Sequence, residues 1–441
     1  MTDDATTSNT FSADPEARDP GPFGADDLPG GRAAQNYWQI VWRQFRKRRL
    51  AMVGLAMVVT LFLLAVFAPF VANKYPYYWH SEDEGLTFPL FRILTVLDVT
   101  LLVAFGMVVL VPLTRRILRR TGWRFWQLNP LRRAVAVNLL VFLGLCAAVI
   151  LPLALVCKWP ERIMQDRRVE VDGEQVTVRM ERDYRREAAE GTSARCLFPP
   201  IRFSPSDILA GAKFETPSSG HLLGTDRLGR NTAARVIFGT RVSLAVGFIS
   251  VGISVAIGVL VGGISGYFGG WVDMVLQRFV EIFICFPGFF LMLTIIAMYG
   301  PKLWLIMAVI GITGWTGTAR FVRAEVLKVK SLDYVTAARA LGLGPFSIVV
   351  RHALPNSIAP VLVSATFGIA SAVMIEVTLS FLGLGDPDYP SWGLLLQQAR
   401  SIATLHPSLL VIPGVTIFFA VLAYNLVGEG LRDAIDPRLR A

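Results

Sequence analysis

The sequence predicts an all-α membrane protein. It reads as a polytopic bundle of helices with both termini in the cytoplasm and a small external segment that holds a β-hairpin. Three observations lead there. First, 53% of the 441 residues are hydrophobic and 17% charged, and the mean hydropathy is +0.51, whereas a soluble domain carries about a quarter charged residues. Second, charge-free runs recur that approach or exceed the ~20 residues needed to cross a bilayer. Third, 43 Lys and Arg against 33 Asp and Glu give a net charge of +10, and the basic residues cluster between those runs. In so apolar a chain, such clusters mark loops held on the cytoplasmic side, not a nucleic-acid surface. The composition excludes a soluble enzyme, a disordered chain and a coiled coil.

Residues 1–36 are polar, acidic and rich in Pro, Gly, Ser and Thr. They have no apolar run after a basic start, so they read as a disordered cytoplasmic tail, not a signal peptide. Eight candidate spans follow: Leu50–Asn73, Val99–Thr114, Ala134–Cys157, Val242–Val272, Ile282–Pro301, Leu303–Ala319, Ser357–Ile375 and Ile402–Gly428. The Gly-rich end of the fourth (Gly262, Gly263, Gly266, Gly269, Gly270) is expected beyond its span. Arg43, Arg46, Lys47, Arg48 and Arg49 hold the N-terminus inside. Glu82, Asp83 and Glu84 place the next loop outside, and the arginines between 115 and 133 return the chain to the cytoplasm. The long segment after the third span then lies outside. The loop from Arg320 to Arg351 and the C-terminal Arg432, Arg438 and Arg440 lie inside. This divides the chain into 37–73 with the first span, an insertion at 74–205, an external segment at 206–236 and a core at 237–441 with a cytoplasmic loop at 325–356.

In the external segment Val169, Val171, Val176 and Val178 alternate around Asp172-Gly173, a hairpin signature. Cys157 and Cys196 both fall outside the membrane, where an oxidising compartment would let them bond; sequence does not fix the pairing. The four cysteines include no Cys-x-x-Cys pair and only four histidines are present, so no metal or redox site is expected.

The cytoplasmic stretch Asp333–Asn356 carries the clearest motif. Tyr334 to Leu341 (with Thr336, Ala337, Ala338, Arg339 and Ala340) is a good helix former, and Asp333 stands where a capping residue would. Gly342 and Gly344 suit a left-handed stop. Pro345 suits a helix start, and Pro355 a restart into the next span. The small Ala337 and Ala338 would let a partner groove approach closely. This stretch resembles the coupling motif of ABC-transporter permeases, matching at Thr336-Ala337-Ala338, Gly342 and Leu354-Pro355. Thr336 replaces the family's Glu, and His352 replaces an apolar residue. A second resemblance narrows the family. His221-Leu-Leu-Gly-Thr-Asp-Arg-Leu-Gly-Arg230, Gly266-Tyr-Phe-Gly-Gly-Trp-Val-Asp273, Leu379-Ser-Phe-Leu-Gly-Leu-Gly385 and Pro390-Ser-Trp-Gly393 are similar to the second permease subunit of dipeptide and oligopeptide importers. Asn231 stands where that family usually has Asp. Residues 74–205 replace a short loop, so the family's six-span core carries two extra spans.

The resemblance implies a transport subunit of a bacterial inner membrane, partnered by a homologous permease, two ABC ATPase subunits and an extracytoplasmic substrate-binding protein. ATP and Mg would sit on the partner ATPases and no cofactor on this chain; independently, no Gly-x-x-x-x-Gly-Lys-Ser/Thr phosphate cradle occurs in the sequence. Importers of nickel or another small solute share these motifs. An ion-coupled secondary transporter would need internal repeats and charges near span centres, and a membrane enzyme a convergent catalytic set; neither is visible. Glu281, Glu376 and His406 lie near span ends and read either as pathway groups or as interfacial ones. Gly224, Thr225, Asp226, Gly229 and Arg230 read either as a surface for the binding protein or as a locally paired turn. Gly247, Gly252, Gly258 and Gly262 suggest close helix packing.

Overall fold

The computed structural model describes residues 37–81, 85–120, 135, 137–141, 164–171, 174–189, 195–209 and 211–436. Its principal helices are α1 (Tyr37–Lys47), α2 (Arg49–Val66), α3 (Val96–Arg120), α4 (Thr232–Phe268), α5 (Gly270–Cys285), α6 (Gly288–Tyr299), α7 (Leu303–Lys330), α8 (Asp333–Ala340), α9 (Pro345–Ile348), α10 (Leu354–Leu379), α11 (Trp392–Arg400) and α12 (Ser408–Ile435).

Helix α4 is the spine. Asn231 caps it by accepting a hydrogen bond from the Ala234 N–H. Its 37 residues reach about 55 Å at 1.5 Å per residue, well beyond a ~30 Å hydrocarbon core. Helix α7 runs parallel to it. Gly258 faces Thr318, Gly262 faces Ala319 and Val322, and Gly266 faces Arg323 and Val326. A Cβ on Gly262 would sit 2.3 Å from the Ala319 carbonyl oxygen, so the two backbones touch along one stripe of α4. The glycines expected beyond the fourth span are thus interior to a helix. Only Gly269 and Gly270, both at positive φ, turn the chain out of it. Helix α10 packs antiparallel to α4, with Gly247 against Ile369 and Val373 and Gly263 against Leu354. Helix α12 packs antiparallel to α2, where Gly54 meets Ala423 and Gly430 meets Ala51. These pairings bring the start of α2, the end of α12 and the 331–344 turn to one end of the bundle.

Among the described residues five helices are long and apolar enough to span: α2, α4, α7, α10 with the turn after it, and α12. Helices α5 and α6 qualify as a pair bent by 71°. The expected straight span from Ile282 to Pro301 is therefore broken, at Pro287, which lacks the N–H that would continue a helix. The last span starts at Ser408 instead of Ile402. In the insertion, α3 holds the expected second span, though its apolar part, Leu97–Pro112, is shorter than the usual span. Most of the expected third, Ala134–Cys157, lies outside the described residues. Where it is described, the Asn138 amide donates to the Met107 carbonyl (3.0 Å) and accepts from the Thr114 hydroxyl (3.1 Å), pinning it to α3.

At the opposite end from the 331–344 turn stand β1 (Tyr78–Ser81), β2 (Gly85–Thr87), β3 (Met164–Val171), β4 (Glu174–Glu181) and β5 (Arg195–Leu197). The β3–β4 hairpin has the expected register, with Val169 opposite Val176 and Val171 opposite Glu174. The three-stranded sheet β2–β1–β5 is new. It covers an aromatic core of Tyr75, Trp79 and Tyr184, over which the Arg182 guanidinium lies 4.7 Å from the Tyr184 ring. Burial and its hydrogen bond to the Glu181 carboxylate push the Tyr75 phenol far above its ordinary titration range. Cys196, on β5, packs against this core; Cys157, its expected partner, lies outside the described residues.

An ion pair ties the insertion to the core. Asp98, in the first turn of α3, accepts from the Thr95 N–H and hydroxyl (2.6 and 2.7 Å) and pairs with Arg241 of α4. Both side chains are about nine-tenths buried.

Two predictions follow from this packing. Gly262→Leu forces α4 and α7 apart and should lower the thermal stability of the detergent-solubilised protein by about 1–3 kcal/mol; Gly252→Leu, where a side chain meets open space, should be near neutral. Asp98→Ala strands the Arg241 charge and should destabilise more than Asp98→Ala combined with Arg241→Met. Thermal unfolding of the four variants decides both.

Candidate functional site

The 331–344 turn is held from below and open above. Leu332 precedes α8 without a side-chain cap, and Asp333 is the first helical residue instead of the cap; there its charge still favours the helix dipole. Helix α8 ends in a Schellman motif: the Gly342 N–H donates to the Arg339 carbonyl and the Leu343 N–H to the Ala338 carbonyl. Gly342 sits at φ 78°, a left-handed position that disfavours any side chain. Gly344 is extended instead and caps α9, whose first residue is Pro345. Pro355 does not restart the chain. A wide π-type turn over Val349–Ala353 runs without a break into α10, and such a turn accommodates a residue with no N–H to give.

Val335, Ala338 and Ile348 are buried on Tyr267 of α4 and on Val322, Val326 and Val329 of α7. Ala338 therefore faces the chain's own core, and of the two alanines only Ala337 faces outward. Leu354 packs on the edge of the same cluster. On the open side Leu341 is 82% and Phe346 81% exposed. Around them Asp333, Tyr334, Thr336, Ala337, Arg339 and Ala340 are also exposed. Beneath the turn, Arg323 of α7 grips Asp273 of α5 with two parallel bonds, Nε to Oδ1 and Nη2 to Oδ2, each 2.6 Å. The Ser265 hydroxyl of α4 joins the same carboxylate. The turn, α4, α5 and α7 thus form one unit. Asp273 closes a sequence motif named above, but its partner, fifty residues away, carries no sequence signal.

A cavity of about 400 Å³ lies between α4, α6, α7 and α10. Its polar lining is six hydroxyls, from Ser250, Ser254, Thr313, Thr318, Ser364 and Ser371, and none of the described residues around it is ionisable. These residues were not foreseen; their signal was small and hydroxyl residues recurring on one face of several apolar helices.

The ionisable candidates lie elsewhere. Glu281 is exposed and paired with Arg278 one turn away. His406 stacks on Phe214 at 4.5 Å. Glu376 is not interfacial: its buried carboxylate accepts from Ser380 at 2.7 Å and Ser243 at 3.5 Å, joining the end of α10 to α4. None of the three lines the cavity.

The 221–231 segment also turns inward. Thr225 and Asp226 are buried, as are the backbones at Gly224 and Gly229. Asp226 accepts from the Leu228 and Arg230 N–H groups (both 2.9 Å), from Arg230 Nε (2.8 Å) and from Arg235 Nη1 (2.6 Å). A Cβ on Gly224 or Gly229 would strike a backbone oxygen at 2.4 Å. The locally paired reading is the one found, and Arg230, half-buried, belongs to it. Asn231 uses both ends of its amide: its carbonyl oxygen caps α4, and its nitrogen lies 2.9 Å from His221 Nδ1.

Comparison with known proteins places these features. Residues 258–441 match the family of binding-protein-dependent transport system inner membrane components, and residues 36–88 match the N-terminal TM domain of oligopeptide transport permease C. A glutathione transport system permease protein of Pectobacterium atrosepticum is 39% identical over 228 residues, 52% of this chain and 76% of its own. A dipeptide transport system permease protein of Alkalihalophilus pseudofirmus is 37% identical over 248 residues, 56% and 82%. A dipeptide transport system permease protein of Haemophilus influenzae is 38% identical over 234 residues, 53% and 79%. Among solved structures, an inward-facing methionine ABC transporter matches 45% of this chain and 96% of its own at 20% identity, with a TM-score of 0.36. The chain is a multi-pass membrane protein that belongs to the family of binding-protein-dependent transport system inner membrane components, the permeases of ABC importers.

Proposed function

We propose that this chain is one of two permease subunits of an ATP-driven importer of the dipeptide and oligopeptide class. The carrying observation is the 331–344 turn: a rigid element, welded to the ends of α4 and α7, that presents Leu341 and Phe346 to solvent. Large apolar side chains on a rigid turn are what a partner groove grips. The partner is an ABC ATPase in the cytoplasm, one of two, which binds ATP and Mg. The remaining partners are a homologous permease across the translocation path and an extracytoplasmic binding protein that delivers the substrate. The turn end, with both termini, then faces the cytoplasm, as the basic residues beside α1, α7 and α8 require, and the sheets face outward.

The hydroxyl-lined cavity is this subunit's share of the path. Hydroxyls can donate to peptide carbonyls and accept from peptide N–H groups without selecting a side-chain charge, which suits peptides of varied sequence. An importer of nickel or another small solute is the second reading, favoured by the relatedness of such permeases; it requires no peptide-length path. ATPase closure would move the turn, and the Asp273–Arg323 clamp would carry that motion into α5 and α7 together.

In the reconstituted complex, Leu341→Asp with Phe346→Asp should leave membrane insertion intact and reduce uptake and substrate-stimulated ATP hydrolysis by about thirtyfold, the loss of a ~2 kcal/mol contact. Full uptake and full stimulation in that variant would overturn the coupling assignment. Orientation is checked by labelling single cysteines: one at Asp172 should react with a membrane-impermeant reagent from outside, and one at Arg120 should be shielded.

A further inference from the structure

A small cavity of about 20 Å³ lies where four parts of the outer end meet: the 221–231 turn, the start of α4, α11 and the start of α12. Asp226, Thr232, Arg235, Gln398, Leu409 and Pro413 contribute to its lining. Two buried polar atoms of lining residues, Arg235 Nε and the Thr232 hydroxyl, have no hydrogen-bond partner in the protein. The Arg235 side chain is only 2% exposed. Leaving such groups unsatisfied is costly, most of all on a charged side chain.

The charges around the cavity do not balance. Arg230 and Arg235 share one carboxylate, Asp226, and both also donate to the Gln398 carbonyl oxygen at 2.9 and 2.7 Å. Among the described residues no other Asp or Glu pairs with either guanidinium. Guanidinium stays protonated in proteins, so a net positive charge is left at the buried site. Arg227, exposed on the same turn, adds to it. The cavity also lies at the N-terminus of a 37-residue helix, where the helix dipole favours an anion. A volume of ~20 Å³ has room for one water or one ion of similar size and for nothing larger.

We propose that this cavity is a binding site for one small monovalent anion of the halide class, chloride being the probe, held by Arg235 Nε and the Thr232 hydroxyl. The anion accepts hydrogen bonds from both donors and neutralises the second guanidinium. Because the lining comes from four segments, the bound ion fastens the outer turn, α11 and α12 onto the head of α4. A carboxylate, a phosphate or a peptide terminus is too large for a volume of this size.

The test uses the full chain in its purified complex. Thermal unfolding is followed as chloride replaces gluconate at constant ionic strength, and crystals or cryogenic samples prepared in bromide are examined for density at the cavity. The expected result is a Tm that rises with halide concentration and a bromide peak between residues 232 and 235. Thr232→Val, which preserves shape and removes one donor, should weaken the halide Kd about tenfold, the loss of one ~1.4 kcal/mol hydrogen bond. A water in the cavity with a Tm indifferent to halide overturns the proposal. So does a halide-dependent Tm without bromide density there, or an unchanged Kd in Thr232→Val.

Discussion

The parallel contact of α4 with α7 is the constraint on which the rest depends. In a bilayer, helices gain little from hiding apolar surface, because lipid is as apolar as leucine. Association rests on close packing, and Gly258, Gly262 and Gly266 supply it by letting the α7 backbone rest against α4. Helix α10 then lies against α4 and α7, α12 against α10, and α2 against α12. The 331–344 turn, set between α7 and α10, takes its position from the same stripe, since Val335 and Ala338 bury into the cluster at the foot of both helices.

A second constraint is the handling of charge inside an apolar bundle. Arg235, Asp226, Asp98 and Glu376 are buried, and the Arg241 side chain is nearly so, toward the end opposite the 331–344 turn. Desolvating such groups is expensive unless they find partners, and each solution joins separate elements of the fold. Asp98 with Arg241 joins insertion to core. Glu376 with Ser380 and Ser243 closes α10 on α4. Asp226 with two arginines folds the outer turn over the head of α4. The result is an end, opposite the 331–344 turn, fixed by directional contacts, whereas the cavity between α4, α6, α7 and α10 is lined by apolar side chains, glycines and six hydroxyls, with no ionisable group among the described residues. That difference suits a path that must open and close: uncharged hydroxyls part without exposing an unpaired charge.

Much of this was legible in the sequence because local physics decides it. The hairpin at Asp172-Gly173 follows from period-two alternation around a two-residue turn. The left-handed stop at Gly342 and the start at Pro345 follow from backbone preferences. The long apolar runs mark the spans. What was not legible depends on partners far apart in the chain. Asp98 and Arg241 lie 143 residues apart, and neither announces the other. Ala338 reads as an outward small residue until the cluster on α7 is seen to claim it. The bend at Pro287 was visible as a proline but not as a break, since proline also sits inside α10 and α12 without one. Asp226 and Arg230 suited a docking surface and a paired turn equally well, and only the buried Arg235 decides between them.

In the proposed importer, the two constraints together would let the exposed turn act as a lever. A loop pushed by a partner transmits motion only if it cannot bend at its attachment. The Schellman stop and the buried face of α8 remove bending within the turn, and the continuous run from α9 into α10 removes it on one side. On the other side Arg323 holds Asp273, so α7 cannot shift without drawing α5 along. The first place where motion can be absorbed is the 71° break between α5 and α6, and α6 borders the hydroxyl cavity. In the proposed cycle, displacement entering at Leu341 and Phe346 would reach the cavity through α7, which lines it directly, while the ion-paired end opposite the turn stays fixed.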